Sequence, residues 1–302
     1  MPVDDGAGQR SGERTWTVAD AMTWTVDYLS RKGIESPRRS AEWLLSVATG
    51  LSRIELYAHH DRPLTPGERA AFRQGIERRA AGEPLQYVTG EMPFRHLVLQ
   101  VRPGVFIPRP ETEVLVDAVL QYLDRCGVGE PVVVDLCTGS GAVAVSTAYE
   151  RAGARVHATE IVPATAEVAR LNAERAGVAD RVVVGVGDLF APLPDELRGR
   201  VDVVVSNPPY IPTADLAGLP AEVASREPRI ALDGGADGLD TVRRIVDEAR
   251  AWLRPGGLLA METDTERAKD AAELMSSWYE GVVVGRDLTG RDRIVIGTRR
   301  EA

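Results

Sequence analysis

Cysteine is almost missing from this chain: its 302 residues include two, Cys126 and Cys137, too few for a disulfide framework. Histidine is nearly as scarce. The four, His59, His60, His96 and His157, fall into none of the spacings that hold a metal, so none is expected. No apolar run approaches the ~18 residues of a membrane span. An excess of positive charge is also lacking. The net charge is −9 and the pI about 5.2, which weighs against a duplex-DNA binder that must neutralise phosphates, and no direct nucleic-acid binding is expected. Residues 1–84 hold 12 acidic and 12 basic side chains, so the acidic excess, 33 against 24, lies in residues 85–302. The opening "MPVDDGAGQRSGERT" has neither the basic start nor the apolar centre of a signal peptide. It reads as a disordered tail over residues 1–15 of a cytoplasmic protein.

What is present is ordinary globular composition, 44% apolar and 27% charged, in a length that suits about two domains. The first third has helical punctuation. Thr17 can cap a helix that Gly33 stops, Ser36 and Pro37 can open a second that ends at Gly50, and Thr65, Pro66 and Glu68 form a capping box. Residues 16–84 are therefore expected to be a small all-helical domain, serving either packing or the docking of a macromolecular substrate. Residues 85–105 are expected to be a β-hairpin linker, turning at Thr89-Gly90-Glu91. "ETEVLVDAVLQYLDRCG" then restores helical periodicity.

From residue 131 strands and helices alternate: "PVVVDLC", "ARVHATE", "DRVVVGVGD", "VDVVVSN" and "GGLLAMET" are apolar strands separated by helical patterns. The expected fold class is α/β, a mostly parallel sheet covered on both faces, within a domain of residues 106–302. The last two strands, "GVVVGRD" and "RDRIVIGTR", lie too close for a helical crossover and should pair antiparallel.

The first sheet strand runs into "DLCTGSGAVAV", where glycines turn a strand into a helix and let backbone approach a ligand. Gly139 and Gly141 fit a dinucleotide-type pattern, and Glu160 ends the next strand where an acid could bind ribose hydroxyls. That pattern alone suits NAD and S-adenosylmethionine equally. Three features favour S-adenosylmethionine. Asp135 precedes the loop, where a carboxylate answers a cation and repels a pyrophosphate. Asp188 ends the third strand, placed to accept from an adenine amino group. The fourth strand ends in Asn207-Pro208-Pro209-Tyr210, which has no part in hydride transfer.

Two prolines must end that strand. The resulting Asn-Pro-Pro-Tyr is similar to the signature of methyltransferases that modify planar nitrogen. An amide nitrogen is a poor nucleophile because its lone pair is delocalised, and acceptors on its N–H groups favour the charge that develops as it attacks. Asn207 can offer its side-chain carbonyl and Pro208 its main-chain carbonyl, both bordering the methyl donor. Pro209 stiffens the corner, and Tyr210 can pack on a flat substrate group.

"GEPLQYVTGEMPFRHLVLQVRPGVFIPRPETEVLV", "DLCTGSG", "SNPPYIP", "REPRIALDGGADGLD" and "DLTGRDRIVIGTR" together resemble the release-factor glutamine methyltransferases, from about residue 16 to 300. The resemblance implies a five-helix N-terminal domain, a hairpin linker and a seven-stranded Rossmann-like methyltransferase sheet. It implies methyl transfer from S-adenosylmethionine to the glutamine amide of the Gly-Gly-Gln motif in class I peptide chain release factors, in the cytoplasm. It places the cofactor at Cys137, Thr138, Gly139, Ser140, Gly141, Glu160, Asp188 and Leu189, and the substrate at Asn207, Pro208, Pro209 and Tyr210. Another target, a ribosomal-protein glutamine or a nucleic-acid base, is the nearest alternative. An NAD-dependent oxidoreductase would leave Asn-Pro-Pro-Tyr idle, and a non-catalytic binding protein would not need it intact. The chain departs from the family pattern twice. Cys137 stands where glycine is common, and "LLAMETDTERA" lacks the Gly and Gln of an E-x-G-x-x-Q stretch, which leaves the role of Glu262 open. Arg109 and Glu111 either line the site entrance or form a structural ion pair.

Overall fold

A computed structural model describes residues 15–301, and the chain divides into two compact units between Gly90 and Glu91. The tail expected over residues 1–15 lies, but for Thr15, outside the described residues.

Among the described residues the first unit contains five helices, α1 (Val18–Arg31), α2 (Pro37–Thr49), α3 (Arg53–Ala58), α4 (Pro66–Ala80) and α5 (Leu85–Thr89). Capping boxes start three of them: Thr17 with Asp20, Ser52 with Glu55, and Thr65 with Glu68. Each satisfies two backbone N–H groups that a helix start leaves unpaired, an N-cap side chain being worth ~0.5–2 kcal/mol. Ser36 departs from expectation. It precedes α2 in the left-handed region (φ +48°) and its hydroxyl makes no cap bond, while Pro37 at the first helical position lacks one of the N–H groups that a helix start leaves unpaired. The helices close over Leu29, Leu45, Leu56, Phe72 and Ile76, all buried.

Residues 85–89 are helical rather than extended, which corrects the expected linker. The Arg78 guanidinium of α4 donates to the carbonyls of Tyr87 and Val88, which a helix end leaves unpaired, and Gly90 ends the turn at φ +78°. The hairpin begins one residue later. β1 (Glu91–Phe94) pairs with β2 (Leu97–Gln100) across Arg95 and His96.

The second unit continues with a 3-10 turn (Pro110–Thr112), α6 (Glu113–Cys126), β3 (Val132–Leu136), α7 (Ala142–Glu150), β4 (Arg155–Glu160), α8 (Pro163–Arg175), β5 (Val182–Val186), β6 (Val201–Ser206), α9 (Ala221–Arg226), α10 (Asp240–Glu248), β7 (Leu253–Glu262), α11 (Ala268–Ser276), β8 (Tyr279–Arg286) and β9 (Asp292–Arg299). Seven strands form one sheet in the order β5-β4-β3-β6-β7-β9-β8. The first five are parallel, and β9 runs antiparallel to both neighbours, as the short β8–β9 connection requires. Alternate residues feed separate cores. Val133, Val203, Val205, Leu258 and Ala260 face the α6–α7–α8 side, whereas Val134, Val204, Leu259 and Met261 face α10 and α11. A strand buried on both faces has no polar alternation, which is why these strands read as unbroken apolar runs. No helix among the described residues is long and apolar enough to cross a membrane.

Candidate active site

β3 lies between β4 and β6, so the chain order reverses there, and a crevice opens beyond the carboxyl ends of the strands. A cavity of about 280 Å³ occupies that place. Asp135, Cys137, Thr138, Gly139, Ser140, Glu160, Asp188, Leu189, Asn207, Pro208, Pro209 and Tyr210 all line it.

Asp135 is 1% exposed, and its Oδ2 accepts from the Thr138 hydroxyl at 2.5 Å and the Ala144 N–H at 3.1 Å. Burial nevertheless pushes the carboxyl up to about 7. Glu160 accepts the Gly139 N–H at 3.0 Å through Oε2 and the Val162 N–H at 2.9 Å through Oε1. It therefore ties the glycine loop to the end of β4, and burial raises it as well. Each carboxylate oxygen can accept about two hydrogen bonds, so both acids can still receive a ligand. Asn172 of α8 holds the loop from behind, donating to the Ser140 carbonyl at 2.9 Å and exchanging bonds with Gln100 of β2.

The loop enters the left-handed region at Cys137, Gly139 and Gly141. Cys137 does so with a side chain, at φ +56°, which explains why this position suits glycine. Burial pushes its thiol up to about 12, so it stays neutral and poorly nucleophilic. Gly141 is absent from the cavity wall. It precedes α7 and packs against Ala169, so its role is close approach of two helices.

Asp188 stands at the cavity rim, half exposed, paired through both oxygens with Arg244 of α10 at 3.1 and 2.9 Å. Ser206 fastens the end of β6 to the Leu136 carbonyl at 2.8 Å. Beyond it, Asn207 donates its Nδ2 to the Thr112 hydroxyl at 3.2 Å, and among the described residues no hydrogen bond reaches Oδ1. The loop that follows closes behind Pro209 and Tyr210, with Ile211 and Gly234 bonded across it. A Cβ at Gly238 would lie 2.4 Å from the Tyr210 carbonyl, so that approach requires glycine. The Tyr210 hydroxyl reaches Oε1 of Glu262 at 3.4 Å, which brings the end of β7 into the site.

Arg109 does not pair with Glu111. Its guanidinium bonds Glu227 at 2.5 Å and lies 4.8 Å from the Phe106 ring centre. Phe106, Pro108 and Thr112 line the cavity, whereas Arg109 and Glu111 do not. Thr112, Arg244 and Glu227 went unnoticed in the sequence. Each meets its partner across 56 or more residues, and no local pattern announces such a contact.

The chain is similar to known proteins along most of its length. A model of the PrmC N-terminal domain matches residues 20–90, and one of the methyltransferase small domain matches residues 99–218. The release factor glutamine methyltransferase of Moorella thermoacetica is 47% identical over 289 residues, 94% of this chain and 99% of its own. That of Geobacter sulfurreducens is 44% identical over 283 residues, 93% and 96% of the two chains. A 16S rRNA N2 methyltransferase of T. thermophilus, solved with AdoMet and guanosine, shares the fold with a TM-score of 0.52 at 21% identity, over 70% of this chain and 50% of its own.

Proposed function

We propose that this chain, which belongs to the release factor glutamine methyltransferase family, methylates the side-chain amide nitrogen of the Gly-Gly-Gln glutamine in class I peptide chain release factors, in the cytoplasm, with S-adenosylmethionine as donor. The observation that carries the reading is the free Oδ1 of Asn207 on the wall of the same cavity as the glycine loop and Glu160.

The cavity's own chemistry suits that donor. Asp135 and Glu160 are carboxyls that burial destabilises as anions, and a cation or a hydroxyl donor would relieve both. A pyrophosphate would meet two acids instead. A Cβ at Gly139 would touch no atom within 4 Å, which leaves room beside the loop for a ligand. Asp188 and Leu189 would border the adenine, with Arg244 holding Asp188 in place.

When bound, S-adenosylmethionine supplies an electrophilic methyl group whose sulfur leaves with the bonding electron pair. Asn207 Oδ1 and the Pro208 carbonyl accept the two amide N–H groups of the glutamine, turning its nitrogen lone pair toward that methyl. Because these acceptors are already in place, they favour the positive charge that grows on nitrogen without reorganising. Tyr210 presents its ring to the amide plane. The methylated nitrogen then loses its proton to water. The helical unit, residues 16–84 in the main, serves as the docking domain for the release factor.

The test is incubation with S-adenosylmethionine and a purified class I release factor, followed by fragmentation mass spectrometry. One methyl group on the motif glutamine is the expected product, and methylation confined to other residues refutes the assignment.

A further inference from the structure

Three segments wall the cavity on the side of Asn-Pro-Pro-Tyr. The motif itself, following β6, is the first. The second is the run before α6, where Gly104, Phe106 and Pro108 face the cavity while Val105 and Ile107 are buried. The third contributes Pro228, Ile230, Ala231 and Leu232. These walls are joined in pairs. Asn207 Nδ2 donates to the Thr112 hydroxyl at 3.2 Å, which ties the motif to the second wall. The Ile211 N–H donates to the Leu232 carbonyl at 2.9 Å, which ties it to the third. Glu227 makes the remaining joint. Its Oε1 accepts from Arg109 at 2.5 Å, and its Oε2 accepts from the Ile107 N–H at 3.4 Å. Arg109 in turn lies 4.8 Å from the ring centre of Phe106, so the pair also braces a ring that faces the cavity.

The loop that carries Glu227 has little else to hold it down. Its two ends meet, with the Thr213 N–H donating to the Gly235 carbonyl at 2.9 Å. Among the described residues 213–231, Glu227 alone is buried. A second ion pair, Asp215 with Arg267 at 3.3 Å, has its carboxylate in solvent, where such pairs hold weakly. A segment without an apolar anchor opens easily. The place of the third wall therefore depends on one carboxylate, whose side chain is 2% exposed. Removing either partner of a pair that deep strands a buried charge or an unpaired donor.

We propose that Arg109 and Glu227 are positioning residues for the substrate glutamine: their ion pair closes the three-walled slot in which its amide meets Asn207. The inference rests on the proposed methylation of a glutamine amide at the motif. Neither side chain lines the cavity, so both act through Phe106 and through residues 228–232. The slot suits a glutamine that follows two glycines. Ile230 is 52% exposed where it borders the cavity, and a Gly-Gly backbone brings no side chain against it. This gives "IPRPETE" and "REPRIALDGG" one shared function, since each supplies one half of the joint.

Methyl transfer to a purified release factor by full-length variants tests it, with S-adenosylhomocysteine affinity measured alongside. Glutamine has one acceptor oxygen where glutamate has two, so Glu227→Gln turns an NH₂ against either Arg109 or the Ile107 N–H. Its kcat should fall about 10- to 100-fold, the scale of a misplaced reacting group. The KM for release factor and the affinity for S-adenosylhomocysteine should change less than about threefold. Arg109→Met should behave in the same way, and Arg109→Lys, which keeps a cation for the carboxylate, should recover most of the loss. The double variant Arg109→Met with Glu227→Gln strands no charge and should be no slower than the slower single variant, within about twofold. Multiplied losses in the double variant would overturn the proposal. So would a kcat within about twofold of wild type in Glu227→Gln, even with a lower melting temperature, because the pair would then serve stability only. Affinity for S-adenosylhomocysteine that falls in step with kcat would overturn it too, by placing the effect at the donor. Absence of transfer to the glutamine by the wild-type chain would instead remove the reading beneath it. Should Glu227→Gln fail to fold, Arg109→Met against Arg109→Lys carries the same comparison.

Discussion

Gly139 and Gly141 are two residues apart in one loop, and the structure predicts opposite consequences of adding a methyl group to each. Both are left-handed, at φ +59° and +83°. A Cβ in that region costs ~1–2 kcal/mol at either position. At Gly141 the new atom would also sit 3.1 Å from Ala169 Cβ, 3.2 Å from Ala169 Cα and 3.2 Å from Val145 Cγ2. Tight contacts of this kind in a packed core add ~1–3 kcal/mol. Gly141→Ala should therefore lose about 2–5 kcal/mol and Gly139→Ala about 1–2 kcal/mol. For a unit of this size each kcal/mol moves the melting temperature ~2–4 °C, so the two variants should melt several degrees apart. Ligand binding reverses the ranking. Gly139 lines the cavity and Gly141 does not, so Gly139→Ala should lose most of its affinity for S-adenosylhomocysteine while folded Gly141→Ala keeps more of it. Thermal unfolding with and without S-adenosylhomocysteine, backed by calorimetric titration, reads both quantities. Equal destabilisation of the two variants, or wild-type ligand affinity in Gly139→Ala, would refute this division of labour.

Asp135 predicts a pH dependence with a definite sign. Its folded value of about 7 lies above the ordinary 3.8, so between those values the native state binds more protons than the unfolded chain. Its contribution to stability is fully present below about pH 4 and is lost as pH rises toward 7. Asp135→Asn should remove that share of the slope in urea unfolding. A cation favours the charged carboxylate, so affinity for S-adenosylmethionine should rise through the same window and level off above it, and an unchanged profile in Asp135→Asn would contradict the assignment. Cys137→Gly should alter stability by less than about 1 kcal/mol, because relief of the left-handed strain offsets the added freedom of the unfolded chain. A loss above about 2 kcal/mol in denaturant melts would mean that thiol packing, not backbone conformation, governs the position.

The parts of this protein that were legible in its sequence are those governed by short-range physics. Strands such as Val201–Ser206 stand out because both faces are buried, and the glycine loop and Asn-Pro-Pro-Tyr stand out because each ends such a strand. Asp135, Glu160 and Asp188 could be placed on one edge once the strands were taken as parallel. Residues 85–89 were misread because Leu85 and Tyr87, both buried, alternate as they would in a strand. The deciding contact is Arg78 of α4 on the carbonyls of that turn, a tertiary interaction. Ser36 has the right side chain for a cap but a left-handed backbone. Partners in the site and beside it are far apart along the chain, by 95 residues for Asn207 and Thr112 on the cavity wall and 118 for Arg109 and Glu227 outside it. The folded sheet brings such pairs together, and residue type alone does not distinguish Glu227 from Glu111 as the partner of Arg109.

The central claim, methyl transfer to one glutamine amide of a class I release factor, is tested most directly by supplying S-adenosylmethionine labelled in its methyl group to two purified release factors. One is wild type, and the other has alanine in place of the glutamine of Gly-Gly-Gln. The account predicts label on the wild-type factor and none above background on the variant. Equal labelling of both would contradict it.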